Sequence, residues 1–289
     1  RDPAASTTWC GRALDFTGAT FDGGDFSGAR FTPGSIVSFE RATFTGEVSF
    51  KTMKFSGGEV SFKRATFMGD EVSFEGSQFA QGTVSFQQAE FCAGRVSFDG
   101  AEFSGSSVVF SGAMFAGGRL LFQWADFIGS NLHFNGAKFC GSELTFLLAE
   151  FSRGMLNLDD VTFSGGSASF HCANFSGAEF ALTGATFSGG KVDLTRVKIS
   201  GGIAYFNRVS ISGGDADLER ADITGGAAFF AEATISGGNA DFKEASITGG
   251  VAEFAGATIS GGNADFEGAD ITGGVADFTG ATITGGTVT

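Results

Sequence analysis

Five acidic residues in the last third of the chain, Asp217, Asp241, Asp265, Glu253 and Asp277, are separated by multiples of twelve. Carboxylates stacked at a repeat spacing make a line of negative charge, which attracts a basic surface or bridges a cation and repels itself modestly where water screens it. No Asp-rich loop of the calcium-binding kind accompanies them. The other reactive side chains are sparse. His133 and His171 are the two histidines, 38 residues apart, each beside a Phe and expected on the surface. Cys10, Cys92, Cys140 and Cys172 form no CxxC pair and have no metal-ligand spacing. No HExxH, GxxxxGK[ST], GxSxG or strand-to-helix GxGxxG is present. An enzyme, a resident metal and a cofactor are therefore not expected. The acids are the candidate binding residues.

Charge narrows the partner. The 289-residue chain carries a net −14. Residues 201–289 hold twelve acids against Arg208, Arg220 and Lys243, and no base follows Lys243. Such a surface repels nucleic acid and anionic lipid and favours a basic protein partner or plain solubility. No run of about twenty apolar residues occurs, so no membrane span is expected in this stretch. The isolated thiols fit a reducing compartment such as the cytoplasm.

A strict period positions these residues. From Phe62 onward, large apolar residues alternate steps of five and seven: Phe62, Phe67, Phe74, Phe79, Phe86, Phe91, and on to Ile283. A small or modest apolar residue usually stands two places before them, as in Val72–Phe74 or Ala240–Phe242, and glycine-rich corners such as Ser260-Gly261-Gly262 separate the units. Residues two apart on an extended segment share a face. The pair therefore points inward, and the residue between them, such as Ser61, Asp241 or Asp265, is expected to face water. Short units of this kind stack into a solenoid, because no single unit can bury its apolar face alone. Three places before the first core position, residues alternate apolar and polar: Ile203, Asp215, Ala227, Asn239, Val251, Asn263, Val275. Every second unit thus returns to one side, which predicts about 24 residues per coil and four sides. A 24-residue coil puts Asp217, Asp241 and Asp265 on one side and Glu253 and Asp277 on the opposite side. It puts Cys92 and Cys140 two coils apart, about 10 Å and beyond disulfide reach.

The amino end carries a purer signature. Leu14-Asp15-Phe16, Ala19-Thr20-Phe21, Gly24-Asp25-Phe26 and Ala29-Arg30-Phe31 recur every five residues. This resembles the pentapeptide-repeat family, whose unit is a small residue, a polar residue, Leu or Phe, and two mostly polar residues. Later units keep that signature, as in Ala264-Asp265-Phe266-Glu267-Gly268, and add two residues after alternate units. The resemblance implies an all-β, right-handed quadrilateral β-helix. It also implies two roles, a protein-binding scaffold or a mimic of duplex DNA that occupies the DNA-binding saddle of a type II topoisomerase such as gyrase. The mimics usually keep pure five-residue spacing, which this chain leaves after its first units.

The expected organisation is a non-repeating segment, residues 1–12, that plugs the amino end with Trp9 and Cys10, and a single β-helix over 13–289. Within it, 13–35 has pure five-residue spacing, 36–198 has Phe at both core positions, and 199–289 is acidic with Ile at the second. The chain starts at Arg1 and stops mid-pattern at Thr289. A trimmed fragment, or self-association through the coil ends, is the corresponding expectation. Thr234, Thr258 and Thr282 form a rank of the ice-binding kind, with Lys138, Glu150 and Lys198 read as its interruptions farther back.

Overall fold

The computed structural model describes residues 13–284 apart from 93, 261 and 273. The expected plug and the final residues 285–289 lie outside the described residues. Those described form strands and corners with no helix, so no helix is long and apolar enough to cross a membrane. Each coil lays down four strands, mostly of two or three residues, each paired in parallel with its counterparts in the neighbouring coils. In chain order, the first side begins at Ala13–Asp15, the second at Thr20–Phe21, the third at Gly24–Asp25 and the fourth at Arg30–Phe31. Eleven strands stack on the third side and twelve on the second. The fourth and first sides fuse into one 21-stranded sheet, where the longer strands Asp126–His133 and Glu150–Asn157 run through the corner between them. At ~4.8 Å per coil the rod is about 50 Å long.

The register shows why the period is 24. Thr83 pairs with Ser107, Glu90 with Met114, and Asp217 with Asp241. The first coils are one residue shorter, since Ala13 pairs with Ile36 and Ile36 with Glu59. Alternation within the strands then sorts the side chains. Val72 and Phe74 are inward and buried, and each Phe stacks on its counterpart in the next coil. Phe74 and Phe98 lie 4.6 Å apart with their rings 1° from parallel, while Phe86 meets Phe98 across the core edge-on at 6.2 Å and 87°. Offset-stacked and edge-to-face geometries are the two that aromatic quadrupoles favour, at about 0.5–1.5 kcal/mol per pair beyond area burial.

Two features differ from the sequence reading, and a third adds to it. The residue between the two inward positions points outward, yet Ser61, Ser73 and Ser97 are almost fully buried. Longer neighbours lie across them: Ser61 donates to Glu40 and Ser97 to Glu75. Glu150 and Lys198 belong to the fourth side, because Glu150 pairs with Asp126 and Lys198 with Asn174. They do not interrupt the Thr rank on the second side, where both outward positions are Ser or Thr in every coil from Thr162–Ser164 to Thr282–Thr284. That side is uncharged, which confines the acids of this half to the other three sides and their corners. Lastly, the core loosens after Phe187. Ile replaces Phe on the second and fourth sides, which are opposite, and Leu194 and Leu218 interrupt the Phe stack of the third. The rings do not close over these shorter side chains. An apolar cavity of ≈40 Å³ remains between Leu194, Phe206, Leu218, Phe230, Ile235 and Phe242.

Candidate interaction surface

The five candidate acids fall into two in-register ranks. Asp217 pairs with Asp241 and Asp241 with Asp265 on the third side, while Glu253 pairs with Asp277 on the first. The third-side rank begins one coil earlier, at Asp193. Local chemistry explains the choice of Asp. The amide N–H two residues on reaches the carboxylate at each of these positions: Glu219 to Asp217 at 3.1 Å, Lys243 to Asp241 and Glu267 to Asp265 at 2.9 Å, and Thr279 to Asp277 at 2.8 Å. Each aspartate therefore caps the corner that follows it. For Asp277, the hydrogen bonds of Thr279 hold the carboxyl below the usual range. Burial works to raise the carboxyl of Asp193, but hydrogen bonds from Thr195 and Ser169 and the charge of Lys191 hold it low.

Ion pairs between coils offset part of the charge. Lys191 reaches Asp217 at 3.1 Å, Arg220 reaches Glu244 at 2.7 Å and Lys243 reaches Glu267 at 2.8 Å. Near the amino end the compensation is denser, as Arg95 pairs with Glu71, Glu75 and Asp99 while Lys51 also meets Glu75. The Lys51 hydrogen bond holds the Glu75 carboxyl below its ordinary value. Oxygens of Asp217, Glu219 and Asp241 come within 4.8 Å of one another, the only grouping of metal-ligating type among the described residues. All three are partly exposed, and Lys191 and Arg220 already serve two of them. His133 and His171 are half-buried and far from this cluster in sequence. Cys92 and Cys140 are exposed free thiols of the second side, separated by the coil that carries Ala116.

One feature escaped the sequence reading. Tyr205 and Phe229 point outward on the first side, in register, with ring centroids 5.6 Å apart and planes 15° from parallel. Glu253 and Asp277 continue their rank in the next two coils. The signal was present: from Asp217 to Asp277, every twelfth residue is acidic except Phe229. Beside the ranks runs an open groove of ≈520 Å³, floored by the glycine pairs at the corner of the fourth and first sides and bordered by Ile203, Ala227, Val251 and Val275.

A family model described as "Pentapeptide repeats (9 copies)" matches residues 10–54 and 39–83. No curated protein matches this chain. Among solved structures, the chain is similar to HetL, a pentapeptide repeat protein involved in heterocyst differentiation regulation from the cyanobacterium Nostoc sp. strain PCC 7120. The identity is 16%, over 96% of this chain and 92% of HetL, with a TM-score of 0.30. It is also similar to QnrB1, a plasmid-mediated fluoroquinolone resistance protein, at 14% identity over 92% of each chain and a TM-score of 0.26. Residues 10–83 are thus matched as pentapeptide repeats, and the four-sided coil that they begin continues to Thr284 with five-plus-seven spacing.

Proposed function

We propose that this protein is a non-catalytic, rigid rod that binds a basic protein partner through its acidic half. The observation that carries the reading is the pair of in-register ranks, Asp217–Asp241–Asp265 and Glu253–Asp277, set on a stiff backbone ladder that has three basic residues after residue 200. Display in register at ~4.8 Å intervals sums the field of individually weak charges along one line. Titration with poly-L-lysine at rising salt tests it. Binding should weaken steeply between 50 and about 200 mM salt, and an Asp217/Asp241/Asp265→Asn variant should bind more weakly. Salt-independent or absent binding would end the reading. Self-association through the coil ends belongs to the same scaffold reading and is checked by sedimentation velocity at several concentrations.

A second reading has one specific observation behind it. Residues 201–289 carry nine more acids than bases over fewer than four coils. That is about one net negative charge per 2 Å of axis, close to the ~1.7 Å of duplex DNA. A mimic of duplex DNA acting on a type II topoisomerase fits that density. Titrating the protein into a gyrase supercoiling assay, beside an Asp217/Asp241/Asp265→Lys variant, separates the readings. Inhibition, or protection from a gyrase-directed drug, that is lost in the variant supports mimicry. No effect at micromolar protein retires it and leaves the scaffold.

A further inference from the structure

We propose that the first side of the rod, from Ile203 to Asp277, is the docking face for a short extended segment bearing arginine. This deepens the scaffold reading and rests on it, by naming which face the basic partner uses and which basic side chain is recognised.

The aromatic pair is the starting point. Of the thirty-six phenylalanines, all within the described residues, Phe229 alone occupies an outward strand position. The same outward register from Ser38 to Ala181 holds only smaller or more polar residues, and the sole tyrosine, Tyr205, enters it one coil before Phe229. Neither the core nor the corners need these two rings. The core contact of that strand is made by the buried Ala228, followed by Phe230. An outward aromatic stack beside Ile203, Ala227 and Val251 makes a contiguous apolar patch, and such patches mark contact surfaces. Val251 is 38% exposed and Val275 63%. The groove beside the patch has a separate structural cause. A Cβ on Gly226, Gly250 or Gly274 would run into the carbonyl oxygen of the glycine one coil earlier, so the floor carries no side chain. The result is a trough with one apolar wall.

Charge then selects the occupant. Glu253 follows Phe229 in register and Asp277 follows Glu253. Among the described residues, neither carboxylate has a basic side chain within ion-pair distance. Upstream, Glu179 precedes Ile203 in the adjacent column. The face therefore presents a ring with a carboxylate one coil away, flanked by an apolar wall. A guanidinium matches both halves: its plane stacks on an aromatic ring while its N–H groups pair a carboxylate bidentately, which an ammonium does less well. From Ile203 to Val275 is three coil steps, about 14 Å, which four or five extended residues span. The occupant is thus a segment with arginine at the Phe229–Glu253 step and apolar side chains along Ile203, Ala227 and Val251.

The test uses the full chain and two fluorescently labelled probes, acetyl-Arg-Leu-Arg-Leu-Arg-amide and its Lys-for-Arg counterpart, followed by polarisation at 50 mM salt. Wild type should bind the Arg probe about fivefold more tightly than the Lys probe. Phe229→Ser should lose about tenfold and abolish the preference. Glu253→Gln should weaken binding severalfold, and Ser236→Ala, on the uncharged second side, should change little. Both first-side substitutions are outward, and unchanged far-ultraviolet circular dichroism checks the fold. Equal binding of the two probes, or full binding by Phe229→Ser, would overturn the proposal. Loss only in the Asp217/Asp241/Asp265→Asn variant would also overturn it, yet leave the basic-partner reading standing on the third side. Failure to bind poly-L-lysine would remove both.

Discussion

Aspartate and serine share the outward strand position because each can accept the N–H two residues later. Ser73 accepts Glu75 N–H as Asp241 accepts Lys243 N–H. Corner capping therefore does not require charge, and the change from Ser to Asp along the third side is free to serve recognition. Burial, and after it the charge of the neighbouring Glu102 stacked one coil before, pushes the Asp126 carboxyl above its ordinary value. His133 shows the reverse for a cation, as partial burial on the first side lowers its imidazole below the ordinary value. The folded state then binds fewer protons than the unfolded chain as pH falls through about 6.5, so stability present above that pH is lost below it. Replacement by Asn, the residue one coil on at Asn157, should reduce the drop in Tm between pH 7.5 and 5.5. An NMR midpoint for His133 at or above 6.5 would contradict this.

Corners decide what each strand can be. In the pair Gly213-Gly214 the two glycines are needed for different reasons. Gly213 sits at φ +71 with open space around its Cβ position, whereas a Cβ on Gly214 would overlap the Gly190 carbonyl oxygen of the coil before. Gly213→Ala should cost about 1 kcal/mol of left-handed strain. Gly214→Ala forces neighbouring coils apart and should cost more than about 3 kcal/mol. Urea midpoints of the two variants measure the difference, and equal losses would show that clash is not the controlling term. The other two corners tolerate side chains at positive φ, including Trp124, Leu148 and Arg220 near +55, because those side chains project outward. Glycine pairs therefore mark where backbones of successive coils approach most closely, and one such corner becomes the open groove.

Across the whole rod, packing and charge change together. The amino-terminal coils have four continuous Phe columns and a neutralising network around Arg95, while the later coils carry Ile, Leu and an excess of acids over bases. The uncharged Ser/Thr side breaks the circumference of the acidic half, so the rod is polarised around its axis as well as along it. The core of that half has room to spare. Leu218→Phe would restore the third-side column beside Phe242 and fill the ≈40 Å³ cavity, raising stability by about 1 kcal/mol. Differential scanning calorimetry should show a higher Tm. A lower one would mean that Leu194 and Phe206 leave no allowed rotamer for the ring.

Strand identity, the 24-residue coil and the two acid ranks were all legible from spacing, because alternation and a fixed coil length leave side-chain direction no freedom. Asp217, Asp241 and Asp265 could be stacked on paper. Shielding of Ser61 and Ser97 could not, since it depends on where Glu40 and Glu75 lay their side chains across the next coil. Assignment of Glu150 and Lys198 to a side required a register that counts corners as well as core residues. The aromatic pair stood in the sequence as an exception to the acid series, but its meaning came only with the fold. A phenylalanine among thirty-five inward ones is recognised as outward when Ala228 and Phe230 are seen to fill the core on either side of it. Periodicity fixes direction and stacking, which are properties of the backbone. Which surfaces are left bare, covered or neutralised is decided by long side chains meeting between coils, and that only the tertiary structure shows.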